Sequence, residues 1–123
     1  MAVPETANDP ACAAAAAAWP ERIDGHEHVE TDPTSPAVRA WGDPAIVARC
    51  GVPALAPTTD PCVAVNGVDW VAQDLSDGTR LTTYGRDPAI EVLVPQEYGS
   101  AAMIAVDFEK AAKALPENGH RCV

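Results

Sequence analysis

The sequence predicts an α+β domain: an antiparallel meander of four to five strands carrying two helices and stabilised by disulfides. Three stretches carry that prediction. "CVAVNGVDWV" (62–71) sets apolar runs on either side of Asn-Gly, and "AIEVLVP" (89–95) alternates apolar with polar positions. "ACAAAAAAW" (11–19) is an alanine run behind an aspartate. The first two have the period of a strand, and the third is built from the strongest helix former.

Taken in chain order, residues 1–9 are small and polar, with Pro4 among them, and are expected to be disordered. Asp9 can cap a helix with Pro10 in its first turn, and Pro20 stops it, so helix one covers about 10–19. Pro20 to Pro44 reads as a long irregular loop centred on "HEHVETDPTSP", and "AIVARCG" (45–51) as the first strand. In 62–71, Asn66-Gly67 marks a two-residue type I′ hairpin that pairs Val65 with Val68 and Val63 with Trp70. Those four share one face, while Ala64 and Asp69 share the other. "DLSDGTRLTTYG" repeats the device at Asp77-Gly78, and a three-residue loop with a bulge would set Leu75 opposite Leu81 in a strand running through Tyr84. Residues 89–95 form the fourth long strand. From Asp107 the chain is helical, with Phe108, Ala111, Ala112 and Leu115 on one face and Pro116 after the end. Met103–Val106 either begins that helix or makes a short extra strand.

The length of 123 residues fits one domain, spanning 10–123. With one Phe, three Trp and two Tyr the core is thin, and twelve prolines imply long connections, so crosslinks are useful. A net charge of −10 repels nucleic acid and anionic lipid surfaces and favours a soluble monomer. No stretch is apolar for long enough to span a membrane. The start, "MAVPETANDP", has neither the basic nor the apolar region of a signal peptide.

The four cysteines, Cys12, Cys50, Cys62 and Cys122, lie far apart and match no zinc-finger spacing. An even number spread from end to end is a disulfide framework and points to an oxidising compartment. Four cysteines allow three pairings. Cys50–Cys62 would close the proline loop and Cys12–Cys122 would tie the chain ends together, and this is the expected pair.

"AWGDPAIVARCGVP", "PCVAVNGVDWV", "TTYGRDPAIEVLVP" and the final "CV" resemble the actinobacterial domain-of-unknown-function family 3515, over roughly residues 11–123. The cysteine contexts "AC", "RCG", "PC" and "CV" are the most specific part of the likeness. The resemblance implies an exported, lipoprotein-like protein of the cell envelope. Such a protein is secreted or membrane-anchored through a hydrophobic N-terminal segment absent from this chain. It implies no activity. The acidic, histidine-bearing "GHEHVETD" departs from the family pattern.

Three features are candidates for chemistry. His26 and His28, two apart on an extended strand, would face one way and hold a metal with Glu30 or Asp32; a solvated acidic loop is the plainer reading. Arg86 would grip a carboxylate or phosphate bidentately, against a local Arg86–Asp87 turn pair. Trp41 reads first as a lid on the core; as a ligand-stacking ring it would line a groove with Tyr84 and Tyr98. No GxSxG, HExxH or phosphate-cradling glycine loop is present, and no cofactor is expected. The expected function is therefore an extracytoplasmic envelope module that binds or scaffolds through Trp41, Tyr84 and Arg86. The alternative is a small envelope hydrolase or metal-binding protein using the His26/His28 loop.

Overall fold

The computed structural model describes residues 3–32 and 34–122. Eight strands form one antiparallel sheet: β1 (Arg22–Ile23), β2 (His26–Val29), β3 (Val38–Trp41), β4 (Ile46–Val52), β5 (Cys62–Val65), β6 (Val68–Leu75), β7 (Gly78–Tyr84) and β8 (Ala89–Pro95). Their spatial order is β1-β2-β3-β4-β8-β7-β6-β5, so β8 closes the gap between the two halves of the chain. Helices α1 (Pro10–Ala16), α2 (Ala101–Ala105) and α3 (Glu109–Lys113) accompany the sheet, and a 3₁₀ turn at Val106–Phe108 joins the last two.

The α+β class stands, but four to five strands understate the sheet. The additional strands β1, β2 and β3 lie in the stretch expected to be an irregular loop. Every residue of β2 is exposed, so it has no apolar alternation, and β1 is two residues long. Helix one ends at Ala16 rather than residue 19; Asp9 caps it by accepting from the Ala11 N–H. Met103–Val106 is helical rather than a strand. Residues 5–8 are in turns and Thr6 bonds to the Gly51 carbonyl, whereas Met1 and Ala2, also expected to be disordered, lie outside the described residues.

The Asn66-Gly67 hairpin has the expected register, with Val65 opposite Val68 and Val63 opposite Trp70. Asn66 and Gly67 have φ of 50° and 86°, as a type I′ turn requires. The next hairpin differs. Leu75 faces Gly78 across a two-residue turn, and Leu81 faces Ala72. Gly78 is needed for another reason: a side-chain carbon there would meet the Val94 carbonyl oxygen of β8.

Register divides the sheet into two faces. Cys50, Ile90, Thr83, Trp70 and Val63 follow one another across the inner face, beside Ala48, Val92 and Leu81. This face holds the core, sealed by Phe108, Ala111, Ala112 and Leu115 from the C-terminal helical segment and by Cys12, Ala15 and Trp19 from the N-terminal one. Trp19, Trp41 and Phe108 meet edge to face, with ring centroids 5.5–6.4 Å apart. On the outer face Glu91 sits between Arg49 at 2.7 Å and Arg80 at 3.6 Å, and Cys62 continues the same row past Thr82 and Val71. Among the described residues no helix is long and apolar enough to cross a membrane.

All four cysteines are in disulfides, paired Cys12–Cys50 and Cys62–Cys122, each with Cα atoms 5.6 Å apart. The expected pairing is therefore wrong. Cys50 and Cys62 are close in sequence, but β8, β7 and β6 separate their strands and they point from opposite faces of the sheet. Cys12 on α1 reaches the inner face and Cys122 the outer one.

Candidate functional site

Two of the three residues expected to bind ligand do come near one another, at the end of β7. The third does not. Trp41 is 0% exposed and its indole N–H donates to the Pro20 carbonyl at 3.0 Å, so it is a core residue and presents nothing to a ligand.

Arg86 lies one residue beyond Gly85, past the end of β7, and is 9% exposed. Its guanidinium donates to the Leu115 carbonyl at 2.8 Å and pairs with Glu117 at 3.2 Å. The expected local pair with Asp87 is thus replaced by contacts with the C-terminal segment. Backbone bonds reinforce them: Asp87 N–H donates to Pro116 and Asn118 N–H to Gly85, at 3.0 and 2.9 Å. Gly85 has φ +86°, and a side chain there would strike the His120 carbonyl, so the strand end and the C-terminal segment pack backbone to backbone. Arg86 fastens that segment, and its donors face protein rather than solvent.

Tyr84 is half-buried on the outer face, in the row of Asp69 and Ala64. Its ring stacks on His120, centroids 5.8 Å apart and planes 30° from parallel. Beyond His120 the chain reaches Arg121 and Cys122, where the Cys122 N–H donates to the Asp69 carboxylate at 2.9 Å and Sγ bonds to Cys62. The result is a cleft of about 410 Å³. Thr58–Asp60 form one wall, Arg121 and Cys122 the other, and Cys62, Val71 and Tyr84 the floor. Gln73 donates to Asp60 at 3.1 Å and keeps the first wall against the sheet. Arg121 is exposed and has no ion-pair partner among the described residues. An apolar floor, a phenol ring and a free guanidinium together suit a small ligand bearing an anionic group.

The two histidines fare differently. Both are exposed on β2, and the His26 ring meets Tyr98 edge to face at 5.6 Å. Among the described residues no group of three or more His, Cys, Asp or Glu side chains is placed to hold a metal ion. Open grooves of about 430 and 480 Å³ flank His28 and Arg39, but each is lined by residues of β1–β3 and their flanks alone. Tyr98 donates its hydroxyl to the Pro44 carbonyl at 2.6 Å; burial first, then the charges of Asp24, Asp43 and Glu97, raise its pKa above the ordinary tyrosine value. Tyr98 packs against His26, Gly42 and Pro44, whereas Tyr84 packs against His120 and pairs with Asp69, and Trp41 is buried, so the expected groove of Trp41, Tyr84 and Tyr98 does not form.

Reasoning from sequence missed Arg121, His120, Asp69 and Thr58–Asp60. The available signal was the terminal "HRCV": a cysteine so near the end, once crosslinked, must bring its neighbours to whatever it is tied to. No curated protein and no solved structure matches the chain. A family model does, over residues 2–119, nearly the whole length: the chain belongs to DUF3515, a family of proteins of unknown function.

Proposed function

We propose that the protein is an extracytoplasmic module of the cell envelope that binds a small ligand and catalyses no reaction, and that the ligand sits in the cleft over Val71 and Tyr84. The observation that carries this reading is that residues 58–62, Val71 and Tyr84 of β6 and β7, and residues 121–122 from the far end of the chain converge on one cleft holding an unpaired arginine. Arg121 would take the anionic group of the ligand and the Tyr84 ring would cover its apolar or sugar part. Two disulfides in a chain of this size support an oxidising compartment. The actinobacterial envelope and the N-terminal anchor belong to this proposal as what the sequence resemblance implies. With its net charge of −10 the protein works as a monomer away from nucleic acid.

The test is thermal melting against wall stem peptides, muropeptide sugars, phospholipid headgroups and divalent metals, with Arg121→Ala and Tyr84→Ala beside the parent protein. A ligand at a hundredfold its Kd adds about 2.7 kcal/mol, a shift readily seen in a domain of this size. A carboxylate- or phosphate-bearing fragment is expected to raise the Tm of the parent and not that of Arg121→Ala. A shift confined to metals, or one that both variants retain, would overturn the reading.

A further inference from the structure

The two disulfides occupy unlike surroundings. Cys12 and Cys50 are 1% and 0% exposed, sealed between α1 and the inner face of β4. Cys62 and Cys122 are half-buried, and both line the cleft on the outer face. Disulfide exchange needs a thiolate to reach a sulfur, so access alone separates the two bonds.

What Cys122 carries is equally distinctive. The C-terminal segment is attached in two stages. Residues 116–118 are held by Arg86, Asp87 and Gly85 through the bonds described above. Gly119 follows with φ +89° and open space around it. Beyond it, His120 donates its N–H to the Asn118 side chain at 3.1 Å, packs its carbonyl against Gly85 and leans on Tyr84, and Cys122 is fixed by the Asp69 carboxylate and the disulfide. The cleft wall made by Arg121 and Cys122, with its guanidinium, thus hangs from a three-residue tether whose covalent fixing is the accessible bond.

We infer that Cys62–Cys122 is a thiol–disulfide exchange site, a latch opened by a dithiol reductant, and that opening it removes Arg121 from the cleft while the fold stays crosslinked by Cys12–Cys50. A thiolate of the dithiol attacks one sulfur of the bond. The S–S bond breaks, its electron pair leaves on the other cysteine, and a mixed disulfide forms. The second thiol of the reductant then closes its own disulfide and frees the remaining cysteine. Two electrons and two protons pass from the dithiol to Cys62 and Cys122, and both end as thiols. Residues 120–122 then swing about Gly119. The inference rests on the cleft reading only for its consequence; the exchange itself stands on access and attachment.

The experiment uses the oxidised native protein without denaturant. Dithiothreitol in one arm and a reduced Cys-x-x-Cys oxidoreductase in the other are applied over time, with alkylation and peptide mapping at each point. Cys62 and Cys122 are expected to be alkylated at least about tenfold sooner than Cys12 and Cys50. Equal rates, or earlier labelling of Cys12 and Cys50, would sink the inference. Labelling by dithiothreitol alone identifies a small dithiol as the reagent, and labelling by both identifies the oxidoreductase as a competent partner. Hydrogen exchange on a Cys62→Ser/Cys122→Ser variant supplies the second readout. In it the amide at position 122 should lose protection while the Asn118 amide keeps it; equal retention of both overturns the latch. Neither readout involves a cleft ligand. Failure of the ligand panel therefore leaves the exchange site standing, and failure of the exchange leaves the cleft reading standing.

Discussion

Partial desolvation, and after it the negative charge of Asp24, holds the Asp107 carboxyl above the ordinary aspartate pKa. The folded protein then binds that proton more tightly than the unfolded chain does. Its contribution to stability is fully present below the unfolded-state pKa and is lost as the pH rises through the folded-state value. Asp107→Asn removes this liability. The variant is expected to melt above the parent near pH 7 and to lose its advantage below about pH 4, where both forms are neutral. Melting temperatures in low-salt buffers across that range check it, and a difference independent of pH would contradict it. Single residues also show what local sequence conveys about a site. Tyr84 ends the strand that the Asp77-Gly78 signal announced, so its place in the sheet was legible while its face was not. Arg86 was legible as a strand-end residue, but its partners Leu115 and Glu117 lie about thirty positions away, as loop closures commonly do. Trp41 carried the same aromatic signal whether it was to face ligand or core, and only packing against Trp19 and Phe108 decides between them.

Among the elements, β7 depends on one small residue. A side-chain carbon at Gly78 would overlap the Val94 carbonyl, so Gly78→Ala forces β7 and β8 apart at the end of their ladder. The expected cost is about 1–3 kcal/mol, as for other overpacked sites, read from the urea midpoint. A neutral result would mean that the strand end moves freely. The same glycine shows how a correct local signal can be assigned the wrong cause: Asp-Gly looked like a turn, and Gly78 is already in the strand. The hairpin at Asn66-Gly67 was legible in full because backbone handedness and alternating valines agreed within ten residues of one another. The strands between Pro20 and Pro44 were not. β2 buries none of its four residues, and what makes it a strand is pairing with β1 and β3. That information is not in its own composition.

In the whole molecule the thin supply of large apolar side chains is gathered on one face of one sheet, and the disulfides act on opposite sides of it. Sequence separations of 38 and 60 residues correspond to about 4 kcal/mol for each bridge in the chain-entropy model. Cys12→Ala/Cys50→Ala is therefore expected to lower the unfolding free energy by about that amount, since it also frees the short alanine helix from the core. Denaturant titration of the variant against the parent measures it; a loss well under 1 kcal/mol would show that α1 is held by packing alone. The presence of a framework was readable from the cysteine count. The pairing was not, because it depends on the order β4-β8-β7-β6-β5, and the insertion of β8 between the two halves is a long-range event with no local trace.

The connectivity has a consequence for how the chain is made. The two bridges are sequential and do not interlace: one uses the first and second cysteines, the other the third and fourth. A chain delivered N-terminus first into an oxidising space presents Cys12 and then Cys50 while Cys62 and everything after it is still behind. The first bond can close at that moment, before its nearest competitor in sequence has arrived. Cys50 is then already occupied when Cys62 emerges, and Cys62 has only Cys122 left to wait for. Order of arrival thus selects the native partners without any proofreading. A chain refolded whole from the reduced state lacks that guidance, since all four thiols meet at once.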